Sequence, residues 1–420
     1  MVSFIRNNQF ITISIKNSLQ VFVRFIIGIL NIKVIALFIG PSGMALVSQL
    51  QNALQIGVNI SNAGINNGII KYLAQYPNNK SKGELFISTS LLLVFIVATL
   101  LGAIVFFMPE FFSNIVFNSN QYIPIVKITG IYLISTALLN LIISVLNGLK
   151  QLKYFISLNI FLSLSGFLIV FGSVFFWGLS GIMMGIIFQT SLALIFGTYL
   201  LLKKVKIDKI QFSTAVVRRL SKYSMMSVTA GILSPLTLLI CRNIIISHTS
   251  LQSAGLWDGV NKISNNYILL ATMSFSYYFL PTFSNITSAK KIKEEVINAY
   301  KILVPLLLIG GAMLYASRKL IVTILFSPEF NGLSEILNWQ VLGDGIRVLT
   351  WVISILIIVK EKVTIYIGCE IISSLSQIGF TYYFVLNMGI EGSTFAYFME
   401  NIISFSIMVG LFYFYWGKTK

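Results

Sequence analysis

The stretch GPSGMALVSQLQNALQIGVNISNAGINNGIIKYLAQY, residues 40–76, is apolar enough for a lipid bilayer yet carries an unusual load of Asn, Gln and Ser. Read as a helix, Ser48, Asn52, Gln55, Asn59, Asn62 and Asn66 follow at spacings of 4, 3, 4, 3 and 4. Such spacing confines them to one stripe about 80° wide. Side-chain amides left unsatisfied in hydrocarbon are costly, so the stripe must face protein or water. Two readings follow. The amides are glue between tightly packed helices, or they line a hydrated cavity; their number down one span favours the cavity.

The surroundings of this stretch decide the class. The chain has 420 residues, 56% of them hydrophobic and 10% charged, with a mean hydropathy of +0.86. This is the composition of a polytopic membrane protein. Apolar runs long enough to cross about 30 Å of hydrocarbon recur at 10–39, 43–70, 85–108, 121–147, 154–176, 179–202, 220–247, 254–281, 299–320, 333–359, 362–386 and 390–416. The expectation is an all-α protein of twelve transmembrane helices. The N-terminus reads straight into the first span, with no pattern of a cleaved signal peptide. Cys241 and Cys369 fall inside spans, where they act as small apolar residues.

A net charge of +17 would suggest nucleic acid in a soluble protein, but its distribution argues otherwise. Of the 30 Lys and Arg, 22 fall on one face if both termini lie on that face. Only Arg318 and Lys319 fall on the other, and Arg24, Lys33, Lys127, Arg242, Lys262 and Arg347 lie within spans. The positive-inside rule then puts both termini in the cytoplasm and leaves no role for nucleic acid.

Short features repeat at a nearly constant interval. PEF occurs at Pro109 and Pro328, 219 residues apart; Gly178 and Gly181 match Gly389 and Gly392 at 211; SGMALVSQLQN from Ser42 resembles AGLWDGVNKISN from Ala254 at 212. Together they point to two six-helix bundles related by an internal repeat, residues 1–209 and 210–420, with the basic connection 202–224 as the seam.

Charges inside spans are the candidate site. The first span carries Asn17, Gln20, Arg24 and Asn31 on one face. Arg24 lies near mid-membrane, where insertion costs roughly 2.5–3.5 kcal/mol. Lys33 is nine residues on, about 180° around an ideal helix, so it either snorkels to the interface or needs a bend. Lys127 sits near a span end, where it too can snorkel. Lys71 stands at the foot of the amide stripe, where it could meet a phosphate. In the first half these cations have no acid within the spans, which favours an anionic ligand. The second half mixes Arg242, Lys262 and Arg347 with Asp258, Asp344, Glu370 and Glu400. Asp258 with Lys262 and Asp344 with Arg347 are spaced as local ion pairs; the same acids are candidates for coupling an ion or a proton. Glu370 and Glu400 have no neighbour of opposite charge in sequence and suit proton exchange best.

One histidine, His248, and no metal, nucleotide or dinucleotide motif leave catalysis without visible apparatus, and no cofactor is expected. GPSGMALVSQLQN, GIIKYLAQY, AGLWDGVNKIS, FLPTFS and WQVLGDGIRV, in this order, resemble segments of Wzx-type O-antigen translocases, including the lipid III flippase branch. These belong to the multidrug/oligosaccharidyl-lipid/polysaccharide exporter superfamily. The resemblance implies a V-shaped pair of six-helix bundles in a bacterial inner membrane. It implies flipping of an undecaprenyl-diphosphate-linked oligosaccharide from the cytoplasmic to the periplasmic leaflet by ion or proton antiport. The glycan polymerase and chain-length regulator of the same pathway are the partners it suggests, besides membrane lipids. It puts a cationic lumen on Arg24, Lys33, Lys71 and Arg242, with Asp258, Asp344 and Arg347 in the second half. The family pattern makes Lys33 luminal where helical periodicity prefers Arg24, and a bend near Gly28 would reconcile the two.

Two other readings stay open. A multidrug or cation antiporter of the same superfamily should hold acids in its first-half cavity, where this chain holds bases. A membrane glycosyltransferase or glycan polymerase should show a large extramembrane loop, and the loops here are short.

Overall fold

The computed structural model describes residues 2–76, 79–205, 210–286, 288–360 and 362–417. Lys206, Lys209, Lys418 and Lys420 lie outside the described residues, as do the side chains of Arg6, Lys16, Asn17 and Lys222. Every element among the described residues is helical. The helices are α1 (Val2–Ser61), α2 (Asn66–Gln75), α3 (Lys80–Phe107), α4 (Pro109–Phe117), α5 (Ile123–Gly148) and α6 (Leu152–Leu202). They continue with α7 (Thr214–His248), α8 (Leu251–Asn285), α9 (Ala289–Leu325), α10 (Leu333–Val359), α11 (Val363–Met388) and α12 (Glu391–Phe412). Among the described residues, 9 helices are long and apolar enough to cross a membrane. In lipid a helix satisfies its own backbone, so a chain this apolar folds into helices rather than open sheets. The protein is a multi-pass membrane protein.

Two of these helices are too long for one crossing. The apolar part of α1 has 42 residues and α6 has 51, roughly 63 and 76 Å at 1.5 Å per residue against about 30 Å of hydrocarbon. Each breaks at a glycine with a left-handed φ: Gly40 (φ 63, ψ −171) in α1 and Gly178 (φ 51, ψ −126) in α6. Gly389, between α11 and α12, has nearly the backbone of Gly178 (φ 62, ψ −139). The correspondence extends three residues on: a Cβ on Gly181 would overlap the Ser173 carbonyl, and one on Gly392 would overlap the Phe384 carbonyl, eight residues back in both cases. One of the three pairs seen in sequence is therefore the same tight helix-to-helix turn built twice. α8 is not among the nine; its first half carries Asp258, Asn261, Lys262, Asn265 and Asn266.

The span expected at 43–70 is not one helix. The second segment of α1 ends at Ser61, a turn follows, and α2 begins at Asn66. Ala63 (φ 47) and Gly64 (φ 63) both take left-handed backbone there. A Cβ on Gly64 would stand 2.6 Å from the Ser224 carbonyl oxygen, so only glycine lets α7 approach this closely.

The chain divides into two compact units, Met1–Val34 with Gln49–Pro235, and Ile35–Ser48 with Leu236–Lys420. Unit 1 packs α2, α3, α5 and α6 around Ile69, Val94, Ala98, Ala137, Leu141 and Leu158. Small residues permit this, since lipid provides no hydrophobic drive between helices. A Cβ on Gly130 of α5 would stand 2.6 Å from the Gly102 carbonyl oxygen of α3. The end of the 202–224 connection is tied into the same unit: the Gln211 amide donates to Ser88 Oγ at 2.5 Å and the Ser213 amide to Thr89 Oγ1 at 3.2 Å. Unit 2 has one core around Phe283, Ile292, Val352, Leu356 and Met408, and a second around Ala45, Cys241, Ile245, Ala254 and Trp257.

Candidate functional site

In unit 1 the break at 62–65 cuts the amide stripe. Asn52, Gln55 and Asn59 share a face of the second α1 segment, Asn62 sits in the turn, and Asn66 opens α2. Their environments differ. Asn59 Nδ2 donates to the Gly231 carbonyl of α7 at 2.8 Å and to the Gln55 carbonyl at 2.8 Å, which is interhelical glue. Asn62 is 2% exposed and donates to the Val58 carbonyl at 3.0 Å. Asn52 is buried, Asn66 and Lys71 are half-buried, and Gln55 is exposed. α7 continues as the partner beyond the turn: Asn67 Nδ2 donates to Ser227 Oγ at 2.9 Å and Tyr72 Oη to the Arg219 carbonyl at 3.4 Å. Arg24 and Lys33 are both exposed on the first α1 segment. Ser48, the first residue of the stripe, belongs to unit 2 and lies beside Asp258.

In unit 2 the cations and acids are drawn together across helices. Arg242 of α7 and Asp258 of α8 form a two-armed pair, Nε to Oδ2 and Nη2 to Oδ1, both at 2.7 Å. At 1% and 4% exposure neither side chain reaches the surface. The guanidinium also lies 5.7 Å from the ring centre of Trp257. Lys262, one turn beyond Asp258, is half-buried within electrostatic reach of both.

Asp344 of α10, 2% exposed, is held by hydroxyls. Ser264 donates to both its oxygens at 2.6 Å, Tyr397 donates to Oδ1 at 2.8 Å, and Tyr267 donates to Oδ2. Gln340 supports Ser264 from behind at 3.3 Å. The local pair expected between Asp344 and Arg347 is indirect: Arg347 Nη1 donates to Tyr397 Oη at 3.4 Å, and Tyr397 donates onward to Asp344. A hydroxyl from α12 has entered between them, because the helix turns these two side chains to different neighbours. Glu400 of α12 accepts from Ser373 and Ser404 at 2.5 Å each. Glu370 of α11 is half-buried beside Tyr366. Arg347 is exposed and interacts electrostatically with Asp344, Glu370 and Glu400.

Three carboxylates, Asp344, Glu370 and Glu400, thus lie within electrostatic reach of Arg347. Surplus negative charge in a low dielectric is relieved by taking up a proton or a cation. The hydroxyl donors Ser264, Tyr267, Ser373, Tyr397 and Ser404 were not among the residues singled out in the sequence. Tyr397, Glu400 and Ser404 at i, i+3 and i+7 share one face of α12, which is the signal that would have found them. Among the described residues, no group of three or more His, Cys, Asp or Glu is placed to hold a metal ion.

A profile of the family described as polysaccharide biosynthesis protein matches residues 14–287. The lipid III flippase of Escherichia coli (strain K12) is 26% identical over 389 residues, 92% of this chain and 94% of that protein. Among solved structures, an inward-facing multidrug resistance MATE family transporter of the MOP superfamily matches with a TM-score of 0.78 at 12% identity, covering 95% of this chain and 100% of that one. The lipid II flippase MurJ in an inward closed conformation matches with a TM-score of 0.74 at 15% identity, covering 96% of this chain and 87% of that one. At such identities these two likenesses are of fold.

Proposed function

We propose that this chain, which belongs to the polysaccharide biosynthesis protein family, is a flippase for a lipid-linked oligosaccharide. The substrate is an undecaprenyl-diphosphate-linked repeat unit of an O-antigen or related glycan, moved from the cytoplasmic to the periplasmic leaflet of a bacterial inner membrane. The molecule is a secondary transporter of twelve spans in two six-helix lobes, 1–209 and 210–420, with both termini cytoplasmic. Counting α1 and α6 twice at Gly40 and Gly178, and adding α8 to the nine apolar helices, supports that number. The glycan polymerase and chain-length regulator are its functional neighbours.

The observation that carries the reading is an asymmetry of charge. Arg24 and Lys33 are exposed on an apolar helix, and no carboxylate pairs with either among the described residues. In unit 2 Arg242 is bound to Asp258, and Arg347 bonds Tyr397 within electrostatic reach of Asp344 and Glu400. A cation kept in a span at a cost of a few kcal/mol, and left without an acid, suits a diphosphate. Gln55, the exposed amide of the stripe, suits sugar hydroxyls. Lys71, half-buried in α2, is a further cation of the first half. Asp344, Glu370 and Glu400, sharing Arg347, are the groups through which a proton or ion drives alternating access.

Complementation tests this in cells. A strain lacking the protein should fail to export its glycan, wild-type chain should restore export, and Arg24→Ala with Lys33→Ala should not. Export unaffected by the double variant would contradict the reading. The likeness to a multidrug transporter gives the second reading, and drug sensitivity of the deletion strain with normal glycan export would favour it.

A further inference from the structure

Two of the short features that repeat along the sequence meet the glycine break of α1 at one place in unit 2, and the function proposed above does not use these residues. Gly40 and Pro41 stand at the start of the second α1 segment, Gly255 lies near the start of α8, and Glu329 lies in the second PEF. A Cβ on Gly255 would overlap the Pro41 carbonyl oxygen, so helix backbone packs directly on helix backbone. A Cβ on Gly40 would overlap Oε2 of Glu329. That carboxylate therefore stands just before the first turn of a helix, where unpaired N–H groups leave a positive end. Below it Met44, Ala45 and Val47 are fully buried, and Ala45 packs with Cys241, Ala254 and Trp257. These contacts account for an otherwise odd division: residues 35–48 belong to unit 2, while the same helix from Gln49 onward belongs to unit 1.

We propose that Gly255 and Glu329 form a releasable latch on the Gly40–Pro41 end of the amide-bearing helix, positioning it in one state and letting go of it in the other. The proposal rests on the reading of the chain as an alternating-access transporter. Its physical basis is what the joint lacks. It is built from small residues and backbone, and Glu329 makes no hydrogen bond or ion pair among the described residues and is exposed. Opening it therefore strands no buried charge, whereas separating Arg242 from Asp258 nearby would strand two. A contact of the first kind is the cheaper one to make and break in every cycle.

The test is the accessibility of that helix end. In a background of Cys241→Ser and Cys369→Ser, a Ser42→Cys reporter is treated in proteoliposomes with a membrane-impermeant maleimide applied to each face in turn. Ser42 is half-buried. The latch predicts that Gly255→Ala and Glu329→Lys label about five-fold faster than the parent, from one face only, while Glu329→Asp stays within about two-fold. Equal rates in parent, Gly255→Ala and Glu329→Lys would overturn it. Should Gly255→Ala fail to fold, Glu329→Lys, at an exposed position, carries the test alone, with an unchanged unfolding temperature as the control for general loosening. Failure of the parent protein to flip a lipid-linked glycan would sink the proposed substrate and leave the labelling comparison standing.

Discussion

Arg242 and Asp258 hold each other through both arms of the guanidinium and both oxygens of the carboxylate, at 2.7 Å each, with neither residue exposed by more than 4%. They come from different helices, 16 residues apart, and fasten α7 to α8. Removing one partner leaves the other charged and buried, which costs about 3–5 kcal/mol. Arg242→Ala and Asp258→Ala should each lower the unfolding temperature of the detergent-solubilised protein markedly. The paired change Arg242→Met with Asp258→Leu should recover most of the loss. An Arg242→Ala protein that unfolds normally but has lost transport would instead make Arg242 a ligand for substrate.

Tyr397 joins the Asp344 carboxylate to the Arg347 guanidinium. Tyr397→Phe removes one of several bonds to Asp344, so stability should fall by only about 1 kcal/mol. Its effect on coupling should be larger. In proteoliposomes, stimulation of transport by an imposed pH gradient should be lost in Asp344→Asn and strongly reduced in Tyr397→Phe, while exchange without a gradient persists. Full stimulation in both variants would place the coupling elsewhere.

Asn59 and Gln55 separate the two readings of the amide stripe within one helix. Asn59 bonds the Gly231 carbonyl, whereas Gln55 is exposed. Asn59→Leu should destabilise by about 1–3 kcal/mol, because it leaves a carbonyl unpaired beside a glycine. Gln55→Ala should leave thermal unfolding unchanged and raise the substrate concentration needed for half-maximal flipping. The reverse pattern would contradict these assignments.

The duplicated turns can be compared directly. Gly181→Ala and Gly392→Ala each push a Cβ into a carbonyl, so both should destabilise by similar amounts. Gly410→Ala, on α12 with nothing within 4 Å, should be neutral or stabilising by up to about 1 kcal/mol. Thermal unfolding of the three variants checks this, and a tolerant Gly181 beside a sensitive Gly392 would break the equivalence.

The sequence was most legible where one residue type has one physical use. Gly178 and Gly389, Gly181 and Gly392 marked their turns because only glycine takes that backbone and permits that approach. The helix break after Ser61 was missed although Ser-Asn-Ala-Gly is turn chemistry, because the polar period ran smoothly across it. Charge pairing was legible only within a helix. Spacing suggested Asp258 with Lys262 and Asp344 with Arg347, but the direct partners came from other helices: Arg242 for the first, and the hydroxyls of Ser264, Tyr267 and Tyr397 for the second. Periodicity says which face a residue occupies and not what arrives opposite it. Arg24 and Lys33, set against each other by helical phase, are both exposed.

Movement of a diphosphate-linked glycan across a bilayer by cations of the first helix can be measured without cells. The direct measurement is flipping of a fluorescent undecaprenyl-diphosphate-linked oligosaccharide in proteoliposomes, read by quenching from outside. Flipping should depend on the protein and fall by at least about ten-fold in Arg24→Ala with Lys33→Ala, with folding intact. Flipping at the protein-free rate, or at the wild-type rate in the double variant, would contradict it.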